Sequence, residues 1–251
     1  MPRSPVRRRR TRALRWGAGL LVTIFVLTTL LPVLLLRVVD PPGTPTMLQR
    51  VWAHHAETGR WTWVRQASVP LAAQGPWVPR MVVASEDGWF WHHHGFDPQQ
   101  IAAALDDAER GKELRGASTL TQQLAKNLFL TQHRHPARKA IEAWYTVWLE
   151  LLLPKGRILE LYLDVAETGP MVFGFDAGAR HWFGKPPDRL DALEAAQLAA
   201  ILPSPRRWTP TGRTERARKL VQIRVPFPGE RGFDAMAARA PSDLGWSQVW
   251  R

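Results

Sequence analysis

The stretch ASEDGWFWHHHGFD, residues 84–97, holds the densest set of groups in this chain that could do chemistry. Two adjacent carboxylates, Glu86 and Asp87, precede three aromatic residues and three consecutive histidines. A carboxylate beside so much apolar surface tends to have a raised pKa, which suits a general acid or base. Glu86 is therefore a candidate acid–base residue. Composition alone favours the alternative of an exposed glutamate at a helix end, and Asp87 suits a structural hydrogen bond equally well.

The three histidines at 92–94 make a poor metal site if the segment is helical. Adjacent helical side chains point about 100° apart, whereas helical ligand pairs are three or four residues apart. The chain has no cysteine and no H-E-x-x-H motif. We therefore predict no metal site here, with His93 as a hydrogen-bonding support and His92 and His94 as exposed side chains.

A second set of polar residues has the spacing expected for one face of a helix. Thr119, Gln122, Gln123 and Lys126 lie at i, i+3, i+4 and i+7 in a predicted helix that Ser118 can cap. Amides with a terminal lysine suit a ligand that bears hydroxyl, amide and phosphate groups. The alternative is a solvated face, although such faces usually carry Glu and Lys.

The next predicted helix carries a second candidate carboxylate. Lys139 and Glu142 share one side of it, with Arg134 and Arg138 nearby. Lys139 and Glu142 could form a surface ion pair worth about 0.3 kcal/mol, or place a carboxylate beside a phosphate-binding cation. Paired carboxylates such as Glu86 and Glu142 are the usual catalytic groups of enzymes that act on glycosidic bonds. The cations indicate an anionic leaving group such as a pyrophosphate.

Helices dominate the elements that must position these residues. Asp97 and Pro98 predict the start of one helix, Pro154 predicts the end of another, and Asp191 with Glu194 predicts a capping box for a third. The chain shows no internal repeat and no β-α-β alternation. The sequence therefore predicts a mainly α fold.

The N-terminus combines a basic tail with an apolar run. Seven arginines within the first 15 residues have no acidic neighbour and supply seven of the net +12 charges. Residues 16–36 carry no charge, and at about 1.5 Å per residue they can cross a hydrocarbon layer of about 30 Å. We expect a retained transmembrane helix, kinked or ended early by Pro32, with the arginines in the cytoplasm.

Other interpretations of the N-terminus remain. A cleaved signal peptide normally has an apolar region of about 7–15 residues, shorter than this one, and a twin-arginine signal is a weaker alternative. A basic tail alone could bind nucleic acid, but beside an apolar span it favours a membrane, so no nucleic-acid partner is expected. The predicted organisation is a basic tail 1–15, a transmembrane helix 16–36, a linker and membrane-proximal segment 37–74, a folded domain 75–225 and a C-terminal tail 226–251, which is rich in Gly and Pro.

Together these stretches resemble the peptidoglycan glycosyltransferase family, whose domain also forms the front half of bifunctional penicillin-binding proteins. The family's first motif, E-D-x-x-F-x-x-H-x-G, is matched by Glu86, Asp87, Phe90, His93 and Gly95. The other matches are RGASTLTQQLAKNLFL at 115–130, R-K-x-x-E at Arg138, Lys139 and Glu142, KGRILELYLD at 155–164, and two later signatures, so that the resemblance spans about 75–210.

Two positions depart from the family pattern. Ala117 replaces the second glycine of G-G-S-T, a form similar to the monofunctional, single-domain branch of the family. Asp164 replaces the usual asparagine after Y-L, which leaves the packing there open. Neither is a presumed catalytic position. We expect no transpeptidase domain, because S-x-x-K and K-T-G are absent.

The resemblance implies a lysozyme-like, mainly α glycosyltransferase domain that acts on lipid II at the outer face of the bacterial inner membrane. Glycan linked to undecaprenyl pyrophosphate would be the donor, and the lipid II 4-hydroxyl the acceptor, with inversion to a β-1,4 linkage. Glu86 would be the general base. Glu142 would assist departure of the pyrophosphate, by protonation or by holding a cation.

The resemblance also implies binding and supporting residues. Phosphate binding would fall to Lys126, Arg134 and Lys139, with Arg138 in the same substrate site. The cleft would be lined by Ser118, Gln122 and Gln123, and Asp87, Phe90 and His93 would support the base. Mg²⁺ or Mn²⁺ is compatible with the family, but the chain shows no ligand cage for one. Proteins of wall synthesis or division are candidate partners.

Two other functions compete with this interpretation. A membrane-anchored, lysozyme-like muramidase also needs two carboxylates, but it needs neither a cation cluster for pyrophosphate nor an anchor at the bilayer. A non-catalytic scaffold of the division machinery would use only the arginine tail and the anchor. The presence of both Glu86 and Glu142 argues against a scaffold.

Overall fold

The computed structural model describes residues 5–111, 118–131, 136–223, 225 and 227–230. The chain divides into two units, 1–39 and 40–251. The first unit contains helix α1, Pro5–Leu35, which continues through Pro32 to within one residue of the predicted end. Its segment Arg15–Leu35 is long and apolar enough to cross a membrane.

The second unit is mainly helical, as predicted. Its two short antiparallel strands, β1 (Glu167–Gly169) and β2 (Val172–Phe173), form the one sheet of the described residues. Its α-helices are α2 (Pro45–Thr58), α3 (Trp77–Glu86), α4 (Pro98–Glu109), α5 (Leu120–Phe129), α6 (Pro136–Leu152), α7 (Lys155–Val165), α8 (Phe175–Phe183), α9 (Ala192–Ala200) and α10 (Thr214–Gln222).

Local signals explain several helix ends. Asp97 accepts hydrogen bonds from the backbone N–H groups of Gln99 and Gln100, and thereby caps α4. Asp191 and Glu194 form the predicted capping box of α9. Pro154 follows the end of α6 by two residues, as expected from its missing N–H group.

The expected cap of α5 is wrong by one residue. The N-cap is Thr119, not Ser118, because Thr119 and Gln122 form a reciprocal capping box. Each side chain accepts a hydrogen bond from the other's backbone N–H, at 3.0 and 3.2 Å. A cap at Ser118 would put Thr121 at the third helical position, and Thr121 instead donates to Glu150.

The core positions α3, which carries Glu86, and α5, which carries Gln123 and Lys126. Helix α5 packs against α6 and α7, and α3 packs against α9 and α10. Leu120 and Leu124 of α5 and Val82 of α3 are completely buried. Each such side chain contributes about 1.5–3 kcal/mol through its burial, which holds α3 and α5 in place.

Some predicted features lie outside the described residues. They are Arg134, Ala117 and residues 231–251 of the predicted C-terminal tail.

Candidate active site

Glu86 is the last residue of α3, and its two carboxylate oxygens are held from different sides. Ser85 Oγ donates to Glu86 Oε1 at 3.0 Å, and Gln123 Nε2 of α5 donates to Oε2 at 3.1 Å. Burial raises the pKa of Glu86, while the Gln123 hydrogen bond and the charges of Arg216 and Lys126 oppose that rise. Glu86 is thus at a helix end but is not the solvated glutamate that composition alone favoured.

The Gln123 amide is itself oriented from behind. Tyr162 of α7 donates its hydroxyl proton to Gln123 Oε1 at 3.0 Å, so the amide nitrogen faces Glu86. Tyr162 is almost completely buried, and burial raises its pKa well above the usual value. The phenol therefore stays protonated and remains a donor at neutral pH.

Asp87 and His93 connect the loop after α3 to the start of α5. His93 Nε2 lies 3.0 Å from both Asp87 oxygens, and the backbone N–H of Leu120 donates to Asp87 Oδ2 at 2.8 Å. The N–H of Gly95 donates to His93 Nδ1, which assigns the ring proton to Nε2. This network fixes the position of α5, and hence of Gln123, relative to Glu86.

Gly95 occupies a position that a side chain would not fit. Its φ is +85°, and an added Cβ would lie 2.7 Å from Thr146 Cγ2. Its carbonyl accepts the Thr119 hydroxyl proton at 2.7 Å. The close approach of this turn to α6 therefore requires glycine.

Glu142 lies in the second half of the site, where the side chain of Lys139 contacts it. Its side chain is buried, whereas Lys139 is largely exposed and places Nζ 2.5 Å from Glu142 Oε1. Lys139 Nζ also lies 3.4 Å from Ser118 Oγ. Because the carboxylate is buried, this contact differs from an ordinary surface ion pair.

Lys126 links the two halves. Burial lowers the pKa of its ammonium group, while the carboxylates of Glu142 and Glu86 both raise it. Arg138 and Lys139 lower it further. Lys126 is therefore within electrostatic reach of both predicted carboxylates. Contacts also connect them: Gln123, which donates to Glu86, places Nε2 3.5 Å from the Ser118 carbonyl oxygen, and Lys139, which contacts Glu142, places Nζ 3.4 Å from Ser118 Oγ.

The structure gives the predicted cleft residue Gln122 another task, and it places the predicted supporting residue Phe90 in the core. Gln122 is buried and its side chain completes the α5 cap, so its amide is used by the backbone instead of facing a cleft. Phe90 is completely buried, with Lys155 Nζ 4.4 Å from its ring centre. Lys155 also forms an ion pair with Glu150 at 2.8 Å.

Sequence reasoning missed the residues around Glu86 that act on it. Ser85 is its immediate neighbour, and Tyr162 lies within the matched segment 155–164, so proximity and motif membership could have indicated both. Arg216 lies beyond every matched motif, and no local pattern marked it.

The side chains around Glu142 do not fit a divalent cation. In the part of the chain that the structure describes, no three His, Asp or Glu side chains converge as ligands. Lys139 already contacts the Glu142 carboxylate, and Lys126 adds a second positive charge.

Two carboxylates, one of them with a raised pKa, are characteristic of enzymes that act on glycosidic bonds. Residues 54–225 match the family model described as Transglycosylase. The chain belongs to this family, and it is a peptidoglycan glycosyltransferase, as its motifs predicted.

Individual relatives agree with the family match. The chain is 46% identical over 203 residues to the biosynthetic peptidoglycan transglycosylase of Xanthomonas campestris pv. campestris (strain B100), covering 80% of this chain and 81% of the relative. It is 48% identical over 203 residues to that of Xanthomonas oryzae pv. oryzae (strain KACC10331 / KXO85), with the same shares. Its identity to that of Xylella fastidiosa (strain M23) is 46% over 198 residues, covering 77% of this chain and 80% of the relative.

Proposed function

We propose that this enzyme polymerises lipid II, with Glu86 as the general base and Glu142 beside the departing pyrophosphate. The observation that carries the proposal is the chain of contacts from Glu86 through Gln123, Ser118 and Lys139 to Glu142. The charge of Lys126, which favours both carboxylates, supports it. The donor would be glycan linked to undecaprenyl pyrophosphate, and the acceptor the 4-hydroxyl of lipid II.

The two carboxylates have different surroundings, which supports different roles. Glu86 receives neutral hydrogen bonds from Ser85 and Gln123 and has a raised pKa, as suits a group that accepts a proton. Glu142 is bonded to Lys139, so this half of the site carries the positive charge that an anionic leaving group needs.

The reaction balances with these groups. The acceptor O4–H proton passes to a Glu86 oxygen as O4 forms a bond to the anomeric carbon. The bond from that carbon to the phosphate oxygen breaks, and the electron pair leaves with the pyrophosphate. Attack opposite the leaving group converts the α-linked donor into a β-1,4 product. Lys126, Arg138 and Lys139 stabilise the charge that develops on the phosphates.

Glu86→Gln tests the base assignment. We expect polymer formation from lipid II by the full-length protein to fall about 100- to 10,000-fold, the usual contribution of a general base. The amide keeps the shape of the side chain, so the melting temperature should stay close to that of the wild type. Glu57→Gln, at an exposed position on α2, is the matched control and should retain full activity.

Two outcomes would overturn the proposal. Substantial polymerisation by the Glu86→Gln protein would remove Glu86 from the role of base. Release of soluble fragments from intact peptidoglycan, without polymer from lipid II, would favour the muramidase alternative.

We further propose a single-pass topology with residues 1–15 in the cytoplasm and the catalytic domain in the periplasm. The cluster of arginines before the span supports this orientation. The chain has no cysteine, so single substitutions give unique labels. In intact spheroplasts an impermeant maleimide should label Glu57→Cys but not Ser4→Cys, and the reverse pattern would contradict the proposal.

A further inference from the structure

Helix α10 brings an arginine to the base from outside the motifs that carry the family resemblance. Arg216 Nη2 donates to Ser85 Oγ at 3.3 Å, and Ser85 Oγ donates to Glu86 Oε1 at 3.0 Å. A serine hydroxyl has one proton to give and lone pairs to receive. The hydroxyl proton of Ser85 is donated to Glu86, and a lone pair of the same oxygen accepts the hydrogen bond from Arg216. The two contacts therefore form a chain of hydrogen bonds from Arg216 through Ser85 to Glu86.

The residues that form this chain of hydrogen bonds are held by packing. Ser85 is buried, and α10 packs against both α3 and α9. The helix is held there by Ala217 and Leu220, which are completely buried. Arg216 therefore approaches Ser85 from a packed element and not from a mobile surface loop.

Arg216 also brings charge to Glu86. Its guanidinium favours the ionised carboxylate, against the burial that disfavours it. Burial lowers the pKa of Arg216 itself, but an arginine stays protonated at any working pH. A base must be ionised before it can accept a proton, so this charge acts in the direction that catalysis requires.

The other charged or titratable groups in this region do not replace the positive charge that Arg216 brings to Glu86. Lys126 on α5 is the second cation that acts on Glu86, but in the proposed function its charge faces the donor phosphates. Among the described residues of this region, Asp87 is bonded to His93, Tyr162 on α7 stays neutral, and Arg213 opposes the protonation of Arg216. Other charged side chains on the packed helices are paired: Arg80 of α3 with Glu230, Glu194 of α9 with Lys185, and Glu215 with Arg218 on α10. Asp188 lies against Gly75, near the other end of α3.

We propose that Arg216 is a positioning residue for glycosyl transfer, which orients the Glu86 carboxylate through Ser85 and supplies a fixed positive charge beside it while Lys126 is engaged with the donor. This inference rests on the proposed role of Glu86 as the base. It assigns a function to α10, a helix that contains none of the matched motifs.

The test compares the pH dependence of kcat/KM for lipid II in full-length Arg216→Met and wild-type protein. Loss of the positive charge raises the pKa of Glu86, so the acidic limb of the profile should move to higher pH. A move of one pH unit lowers activity about tenfold on that limb. Activity should then recover as the pH rises, because the base becomes ionised again.

Three further variants separate charge, geometry and folding. Arg216→Lys keeps the charge, so the acidic limb of its kcat/KM profile should lie within about 0.3 pH units of the wild-type limb. A shift of that size corresponds to a twofold difference in the ratio of ionised to protonated Glu86. Ser85→Ala removes the chain of hydrogen bonds but not the charge, so kcat should fall with a smaller shift of the limb. Arg218→Met removes an exposed charge two residues away on α10 and should leave the profile unchanged.

The outcomes are distinguishable. A pH profile of Arg216→Met that matches the wild type overturns the inference. An equal loss of activity at every pH, not restored by Arg216→Lys, also overturns it, because a merely structural role would produce that result. Activity of the Glu86→Gln protein would overturn the base assignment itself. An inactive Glu86→Gln protein with an unshifted Arg216→Met profile would overturn only the role of Arg216.

Discussion

Gln123 Nε2 of α5 donates to Glu86 Oε2 of α3 across 3.1 Å. With Ser85 on Oε1, each oxygen of the carboxylate accepts one hydrogen bond. A carboxylate has about four lone-pair positions, so each oxygen keeps one for a substrate proton. The carboxylate that we propose as the base is therefore fixed in orientation and can still accept the proton of the acceptor hydroxyl.

Tyr162→Phe should reduce kcat for lipid II polymerisation without a comparable change in KM. The substitution removes the hydroxyl that orients the Gln123 amide and keeps the buried ring. A net hydrogen bond is worth about 0.5–1.5 kcal/mol, so the expected loss is about two- to tenfold. Steady-state kinetics with labelled lipid II would measure it.

The control for this prediction is a double-mutant cycle with Gln123→Ala. Because Tyr162 acts through Gln123, the two substitutions together should cost little more than Gln123→Ala alone. Fully additive losses would show that Tyr162 does not work through the amide.

Lys139→Ala should raise the lipid II concentration needed for half-maximal rate about tenfold. A hydrogen bond to a charged group is worth about 1.5–3 kcal/mol, and the exposure of Lys139 places the effect at the low end of that range. The exposed charge is also screened by salt, so the wild-type advantage should shrink as ionic strength rises.

Lys185→Ala provides a matched control for Lys139. Lys185 also forms an ion pair with a glutamate, Glu194, but at the start of α9. Its loss should leave the lipid II dependence unchanged. Unchanged kinetics in the Lys139→Ala protein would count against phosphate binding by this lysine.

Asp164→Asn should stabilise the protein above neutral pH. Asp164 is buried, accepts one hydrogen bond from the backbone N–H of Val69, and has a pKa raised by burial from the ordinary 3.8 to about 7. The folded state holds this proton more tightly than the unfolded state, so stability falls as pH rises from about 4 to 7 and stays low above it.

Asparagine keeps an oxygen for Val69 and carries no charge, so it removes this dependence. Unfolding at pH 5 and pH 8 should show a gain of about 2–4 kcal/mol at pH 8 and a much smaller gain at pH 5. An equal or negative change at both pH values would contradict the prediction.

Local rules predicted much of the helical framework. The caps at Asp97 and Asp191 and the stop at Pro154 depend on hydrogen bonds and sterics within a few residues, so sequence neighbours suffice to predict them. The Ser118 cap was wrong because two adjacent hydroxyl residues offered the same local signal. Contacts of Thr119 and Thr121 with Gly95 and Glu150 then decided between them.

The sequence by itself determined the family, the helical class and the apolar span, and it marked Glu86 and Glu142 as the candidate carboxylates, because these depend on residue types at fixed spacings. Only the tertiary structure decided that Glu86 is desolvated, that Gln122 serves the backbone, and that Arg216 reaches Ser85 across 131 residues of chain. Burial and charge coupling arise between helices that are distant in sequence, and no local pattern encodes which side chains their packing brings together.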